Sequence, residues 1–145
     1  MKKIALAIIA VISVLVMSFA LAACSSDVAG NTYKFNDIKV TYSDDVTDLE
    51  KITAEAVVGG MKEALKNASV TFEKDGTCKM SEGGDEEPEI AYYKQDGDKI
   101  YIFSTKEDLE AGNTDEAVSE LKVNGSKIEM SMEENGTTMT MIYKK

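Results

Sequence analysis

From residue 68 onward the chain alternates apolar and polar positions in short runs, and Asp-Gly or Asn-Gly pairs separate the runs: Asp75-Gly76, Asp96-Gly97, Asn124-Gly125 and Asn135-Gly136. Alternation with period two marks half-buried strands, and these dipeptides are the strongest short-range hairpin signals. A two-residue turn at Asn124-Gly125 sets Leu121 opposite Ile128 and Ser119 opposite Met130. The same turn at Asn135-Gly136 sets Met132 opposite Met139 and Met130 opposite Met141. Ile128, Met130 and Met132 then share one face of a strand used by both hairpins, with Lys127, Glu129, Ser131 and Glu133 on the other face, toward water. A three-residue loop Lys74-Asp75-Gly76 pairs Phe72 with Cys78 and Val70 with Met80, with Gly76 in the left-handed position such loops require. A β-branched residue at Gly125 is expected to be costly, whereas Gly83, in an acidic connection, is expected to tolerate one.

The period changes between Thr47 and Asn67. Leu49, Ile52, Ala56, Val57, Met61, Ala64 and Leu65 recur at helical spacing, Thr47 and Glu50 stand at capping-box distance, and Asn67 suits a stop. Gly59-Gly60 in the middle predicts a kink or a break into two short helices. Ahead of this helix, Asn31 to Tyr42 reads as one bulged strand or a short hairpin. Ser104 to Ala111 predicts a further helical turn ended by Gly112. The hairpin around Asp96-Gly97 carries Ala91, Tyr93, Ile100 and Ile102 on one face and Ile90, Tyr92, Tyr101 and Phe103 on the other; the helix 47–67 is the expected cover for the second face. The fold class is mainly β within α+β: an antiparallel meander of about seven to eight strands with one helix inserted after the first, closing into a small barrel or curling over the helix.

The N-terminus has a different pattern. Lys2 and Lys3 precede an apolar run from Ile4 to Ala23 that ends in Leu21-Ala22-Ala23-Cys24. A charged start, an apolar middle and a small-residue end make a secretion signal. The tetrapeptide resembles the lipobox of bacterial lipoproteins, in which a peptidase cuts before a cysteine that carries diacylglycerol. The resemblance implies a signal peptide over 1–23, lipidation at Cys24, a lipidated tether over 24–31 and one β-meander domain over 32–145. The twenty residues of this run, at about 1.5 Å each, also just suffice for an uncleaved transmembrane anchor, and cleavage after Ala22 or Ala23 would release the chain. In all three cases the lysines stay inside and residues 25–145 lie outside the cytoplasm. The lipobox reading places the protein at the cell membrane, lipid-anchored on its extracytoplasmic face.

Composition then narrows the chemistry. Loss of Lys2 and Lys3 leaves 14 lysines against 26 acids, a formal charge of −12 on the mature chain. Such a chain repels phosphate backbones, which excludes nucleic acid, and it is expected to be repelled by anionic lipid as well. Without His, Arg or Trp there is no Ser-His-Asp triad, imidazole zinc site or arginine phosphate clamp. No enzyme activity, catalytic residue, metal or cofactor is expected. With Cys24 lipidated, Cys78 has no disulfide partner and reads as a small buried hydrophobe rather than a reactive thiol.

The hairpin repeats, Tyr33-Lys34 near the start of the domain and the closing Tyr143-Lys144-Lys145 resemble small lipocalin-like lipoproteins of Gram-positive bacteria. That resemblance implies a small barrel, without the glycine-x-tryptophan entry motif of true lipocalins. Three features bear on function. The acidic segment Glu82 to Glu89 reads as a solvated connection or a weak calcium site. The face of Met130, Met132, Met139 and Met141 reads as core or as an adaptable apolar lining, and Tyr93, with Tyr92 and Tyr101, as core or as a stacking platform. The expected role is therefore a membrane-anchored protein that binds a small apolar or aromatic molecule or a peptide, with Met130, Met132, Met139, Met141 and Tyr93 at the site. The alternative is an envelope protein–protein interaction module without a ligand cavity. A roomy interior favours the first, and a filled interior with an exposed apolar strip favours the second.

Overall fold

A computed structural model describes residues 27–83 and 87–145. Its strands are β1 (Asn31–Tyr42), β2 (Ser69–Phe72), β3 (Thr77–Ser81), β4 (Glu89–Asp96), β5 (Lys99–Phe103), β6 (Ser119–Asn124), β7 (Lys127–Glu134) and β8 (Thr137–Lys144). They form a closed eight-stranded antiparallel barrel in chain order, with β8 pairing back onto β1. Helix α1 (Asp48–Leu65) follows β1, and the short α2 (Lys106–Ala111) lies between β5 and β6. Closure removes the sheet edges that an open meander would expose. Strand β1 is a single strand with a bulge between Phe35 and Asp37, where the sequence left a hairpin open.

Turn chemistry sets the register. Asn135 and Gly136 both have positive φ, 49° and 72°, as a type I′ turn needs, and Met130 and Met132 stand opposite Met141 and Met139 as expected. The loop before Thr77 also has the expected form: Phe72 faces Cys78, Val70 faces Met80, and Gly76 has φ of 88°. The hairpin near Asn124 differs from expectation by two residues. Its closing pair is Asn124 with Lys127, and the turn residues are Gly125 and Ser126, of which only Gly125 has positive φ. Val123, rather than Leu121, therefore opposes Ile128. A shift of two preserves every side chain's face and buries Val123 against Ile128, so the core gains and the alternation is kept.

Because neighbouring strands alternate in direction, the connections alternate between two ends of the barrel. The turns at 73–76, 97–98 and 125–126 lie at the end where β1 begins. Helix α1, the segment after Ser81, α2 and the turn 135–136 lie at the other. Both ends are covered. At the first, Val28 is fully buried in the core, its N–H donating to Gln95 Oε1 at 3.0 Å, and Gly30 N–H donates to the Phe72 carbonyl at 2.6 Å. The expected tether over 24–31 is thus shortened, because Val28 to Asn31 belong to the folded unit. At the second, Val58, Met61 and Leu65 of α1 pack on the core.

Helix α1 begins with the expected capping box, in which Glu50 N–H donates to Thr47 Oγ1 at 3.4 Å and Thr47 N–H donates to Glu50 Oε2 at 2.8 Å. The expected break at Gly59-Gly60 does not occur; the helix is continuous, since helical hydrogen bonding and the packing of Val58 and Met61 outweigh about 2 kcal/mol of glycine penalty. Its inward side is only partly the one expected: Met61 and Leu65 turn inward, but Leu49, Ile52, Ala56, Val57 and Ala64 do not. Lys51, Ala54, Val58, Met61, Lys62 and Leu65 are the buried or half-buried positions, whereas Leu49, Ile52 and Val57 are 73, 64 and 53% exposed. Helix α1 packs against β1, where Lys62 pairs with Asp37 at 2.7 Å, and does not cover the second face of the β4–β5 hairpin. There α2 packs instead, with Phe103 fully buried, Tyr92 and Tyr101 half-buried and Ile90 exposed. The predicted turn of helix is present, stopped by Gly112 at φ of 70°. The expectation that Gly83 tolerates a side chain is corrected too, because Gly83 lies against Asn67 with φ of 96°.

Candidate functional site

The barrel interior is occupied by its own side chains. Tyr33, Phe72, Ile100, Ile128 and Cys78 have no exposure, and edge-to-face ring pairs join Tyr33 to Phe72 (5.9 Å) and Phe72 to Tyr93 (4.9 Å). Such pairs add to the burial of the rings and hold them in one arrangement. Tyr93 sits in this cluster and its hydroxyl donates to the Glu73 carbonyl at 2.9 Å, so its ring is no open stacking platform. Tyr92 and Tyr101 lie on the opposite face of the sheet. Burial pushes the Tyr93 and Tyr143 phenols above their ordinary value. It also pushes the Cys78 thiol up to about 11, as the inert, buried reading requires.

The methionine strip runs from this core toward the α1 end. Met141 is buried, Met130 and Met139 are half-buried, and Met132 is 41% exposed. Ser119 Oγ lies 3.0 Å from Met130 Sδ. The four residues are therefore not one lining: Met130 and Met141 are core, and Met132 and Met139 reach the rim.

At that rim α1 and the β7–β8 turn enclose a groove of about 450 Å³. Leu49, Thr53, Ala54 and Val57 form its helical wall, Met139 its floor, and Glu50, Glu134 and Asn135 its polar edge. The sequence carries a signal for this groove. Helical apolar positions of α1 divide into two sets, 54-58-61-65 and 49-52-57, too many for one face of a helix resting on a barrel. A second recess of about 370 Å³ lies at the other end of α1, lined by Leu65, Val70, Met80 and Tyr143 with Glu82, Glu87 and Glu89. Of the acidic segment, Gly84, Asp85 and Glu86 lie outside the described residues, and among the described residues no three or more His, Cys, Asp or Glu are grouped to hold a metal. Cys24 and the signal segment 1–23 also lie outside the described residues. Among the described residues no helix is long and apolar enough to cross a membrane.

No family model matches the chain, and no curated protein matches it significantly. Among solved structures, the crystal structure of a DUF4847 family protein from Bacteroides vulgatus ATCC 8482 is similar at 16% identity. The match covers 79% of this chain and 92% of that one, with a TM-score of 0.44.

Proposed function

We propose that this protein is a lipid-anchored extracytoplasmic docking module that receives a basic, apolar-faced peptide segment of an envelope protein in the groove between α1 and the β7–β8 turn. The observation that carries the reading is the pairing of a filled barrel interior with the apolar surface Leu49, Val57 and Met139 bordered by Glu50 and Glu134. A soluble helix ordinarily turns such residues inward, and an exposed apolar strip edged by charge is the form of a recognition groove. The formal charge of −12 on the mature chain favours a cationic partner and speeds its approach.

Titration with a fluorescein-labelled leucine–lysine amphipathic peptide, against a leucine–glutamate counterpart, tests the groove. Saturable binding of the lysine peptide alone, lost in Leu49→Ser/Val57→Ser with the melting temperature unchanged, is the expected result. Binding that survives in that variant overturns the groove. A small apolar molecule in the same groove is the second reading, favoured by the half-buried Met139 on its floor. In that case a hydrophobic fluorescent probe binds the wild type and is lost in Met132→Glu/Met139→Glu. The anchor has its own test, because only the Cys24 thiol can accept diacylglycerol. Cys24→Ala should incorporate no labelled palmitate and should accumulate as precursor.

A further inference from the structure

Seven lysines of the barrel and its helices lie within ion-pair distance of a carboxylate, as expected where acids are in excess: Lys51, Lys62, Lys66, Lys79, Lys99, Lys106 and Lys122. The other seven described lysines have no such partner among the described residues, and three of them stand together on adjacent strands. Lys144 on β8 stands directly opposite Lys34 on β1 and directly opposite Lys127 on β7, making a row of three lysines across adjacent strands. Lys34 and Lys144 are exposed and Lys127 is half-buried, and among the described residues none of the three has an ion-pair partner. Like charges directly opposite on a sheet repel, and a chain rich in acids had ample means to relieve them. Lys145 extends the row toward the barrel opening, its N–H donating to the Ser126 carbonyl at 3.2 Å and its Nζ 5.7 Å above the Tyr33 ring.

The row lies at the end of the barrel where β1 begins, β8 finishes and Val28 enters the core. Cys24 precedes Val28 by four residues, so a lipid on Cys24 can stand no more than about 14 Å from that end. The groove acids Glu50 and Glu134 belong to the opposite end, whereas the recess with Glu82, Glu87 and Glu89 reaches Ser69, which stands opposite Lys34, and the turns at the end of the row carry Glu73, Asp75, Asp96 and Asp98. The row is thus a local cationic patch on the barrel wall of a domain whose total charge is strongly negative. We propose that Lys34, Lys127 and Lys144 seat the barrel on the anionic phospholipid headgroups of the membrane that holds its anchor, turning the α1 groove away from the bilayer. The inference rests on the lipid-anchored reading for its geometry. It departs from the expectation, drawn from net charge alone, that anionic lipid repels the whole surface. A basic patch beside a lipid anchor is a recognised second membrane contact, effective within a Debye length of the surface.

The test is amine-reactive footprinting of the full chain, as purified from membranes, on vesicles of phosphatidylcholine alone and of phosphatidylcholine with 30% phosphatidylglycerol. On the anionic vesicles, labelling of Lys34, Lys127, Lys144 and Lys74 should fall severalfold, with Lys106 at the far end unchanged, and half-molar salt should restore it. Lys34→Gln/Lys127→Gln/Lys144→Gln should return Lys74 to its neutral-vesicle labelling rate. Equal labelling on the two vesicles, with the chain attached to both, overturns the lysine seat and leaves the anchor standing. Salt-sensitive attachment to anionic vesicles alone supports the seat and removes the anchor. Attachment to neither overturns both.

Discussion

Gly83 lies so close to Asn67 that a Cβ on it would overlap the Asn67 Cβ and stand 3.1 Å from the Asn67 carbonyl carbon and oxygen. This contact fastens the start of the acidic segment to the turn that ends α1, and Gly83 N–H donates to Ser81 Oγ at 3.3 Å within it. With φ at 96°, the position excludes side chains on both conformational and steric grounds.

Gly83→Val should therefore be the more damaging of two glycine substitutions. Gly125 also has positive φ, but no atom within 4 Å obstructs a Cβ there. Gly125→Val should cost about 1–3 kcal/mol through backbone strain alone, and Gly83→Val should exceed it by displacing Asn67. Thermal melts of the two variants decide the order, and equal melting temperatures would contradict the packing.

Gly59→Ala and Gly60→Ala should each stabilise the protein by about 0.5–1 kcal/mol. Both glycines are exposed in an unbroken helix, and a Cβ at either would have no neighbour within 4 Å, so alanine adds helix propensity without a clash. Urea unfolding of the single variants measures the gain, and a loss would show that the helix needs a flexible joint there.

Two buried tyrosines should respond in opposite ways to loss of the hydroxyl. The Tyr93 hydroxyl donates to the Glu73 carbonyl, and Tyr93→Phe should cost about 1 kcal/mol. Among the described residues the Tyr33 hydroxyl is buried without a hydrogen-bond partner, so Tyr33→Phe should be neutral or stabilising. Denaturant midpoints at constant slope separate the two.

Alkaline pH should destabilise the barrel through these core groups. Burial raises the Cys78 thiol to about 11 and the Tyr33, Tyr93 and Tyr143 phenols above their ordinary value near 10. A group whose folded pKa is raised contributes stability that is fully present below its unfolded value and is lost as pH rises toward the folded one. The melting temperature should fall from about pH 9 upward, with Cys78→Ala delaying the first part of the decline. At pH 8 a thiol reagent should label Cys78 only at the rate at which the protein opens, and fast labelling of the native state would contradict its burial.

The hairpins were legible in the sequence because their determinants are local. Positive φ at Gly76, Asn135 and Gly136 is a property of those residues, and the alternation of Ile128, Met130 and Met132 assigns faces whatever the partner strand. Register at Gly125 was not local in the same way. Two registers differing by two residues satisfy the same alternation, and the burial of Val123 against Ile128 chose between them. The face of α1 was ambiguous for a related reason: its apolar positions exceed one stripe, and only contact with the barrel selects Val58, Met61 and Leu65 over Leu49, Ile52 and Val57. The candidate groove belongs to this second class, since Val57 and Met139 are distant in sequence and meet because the barrel closes and sets α1 across its mouth. The lysine row is the same case, as net charge is additive along a chain whereas the neighbours of Lys144 are fixed by β8 lying between β1 and β7. By itself the sequence determined the strands, their turns and the capped helix; the pairing of first strand with last, and every surface that depends on it, was decided by tertiary closure, where burial and sheet pairing act between residues that no local pattern connects.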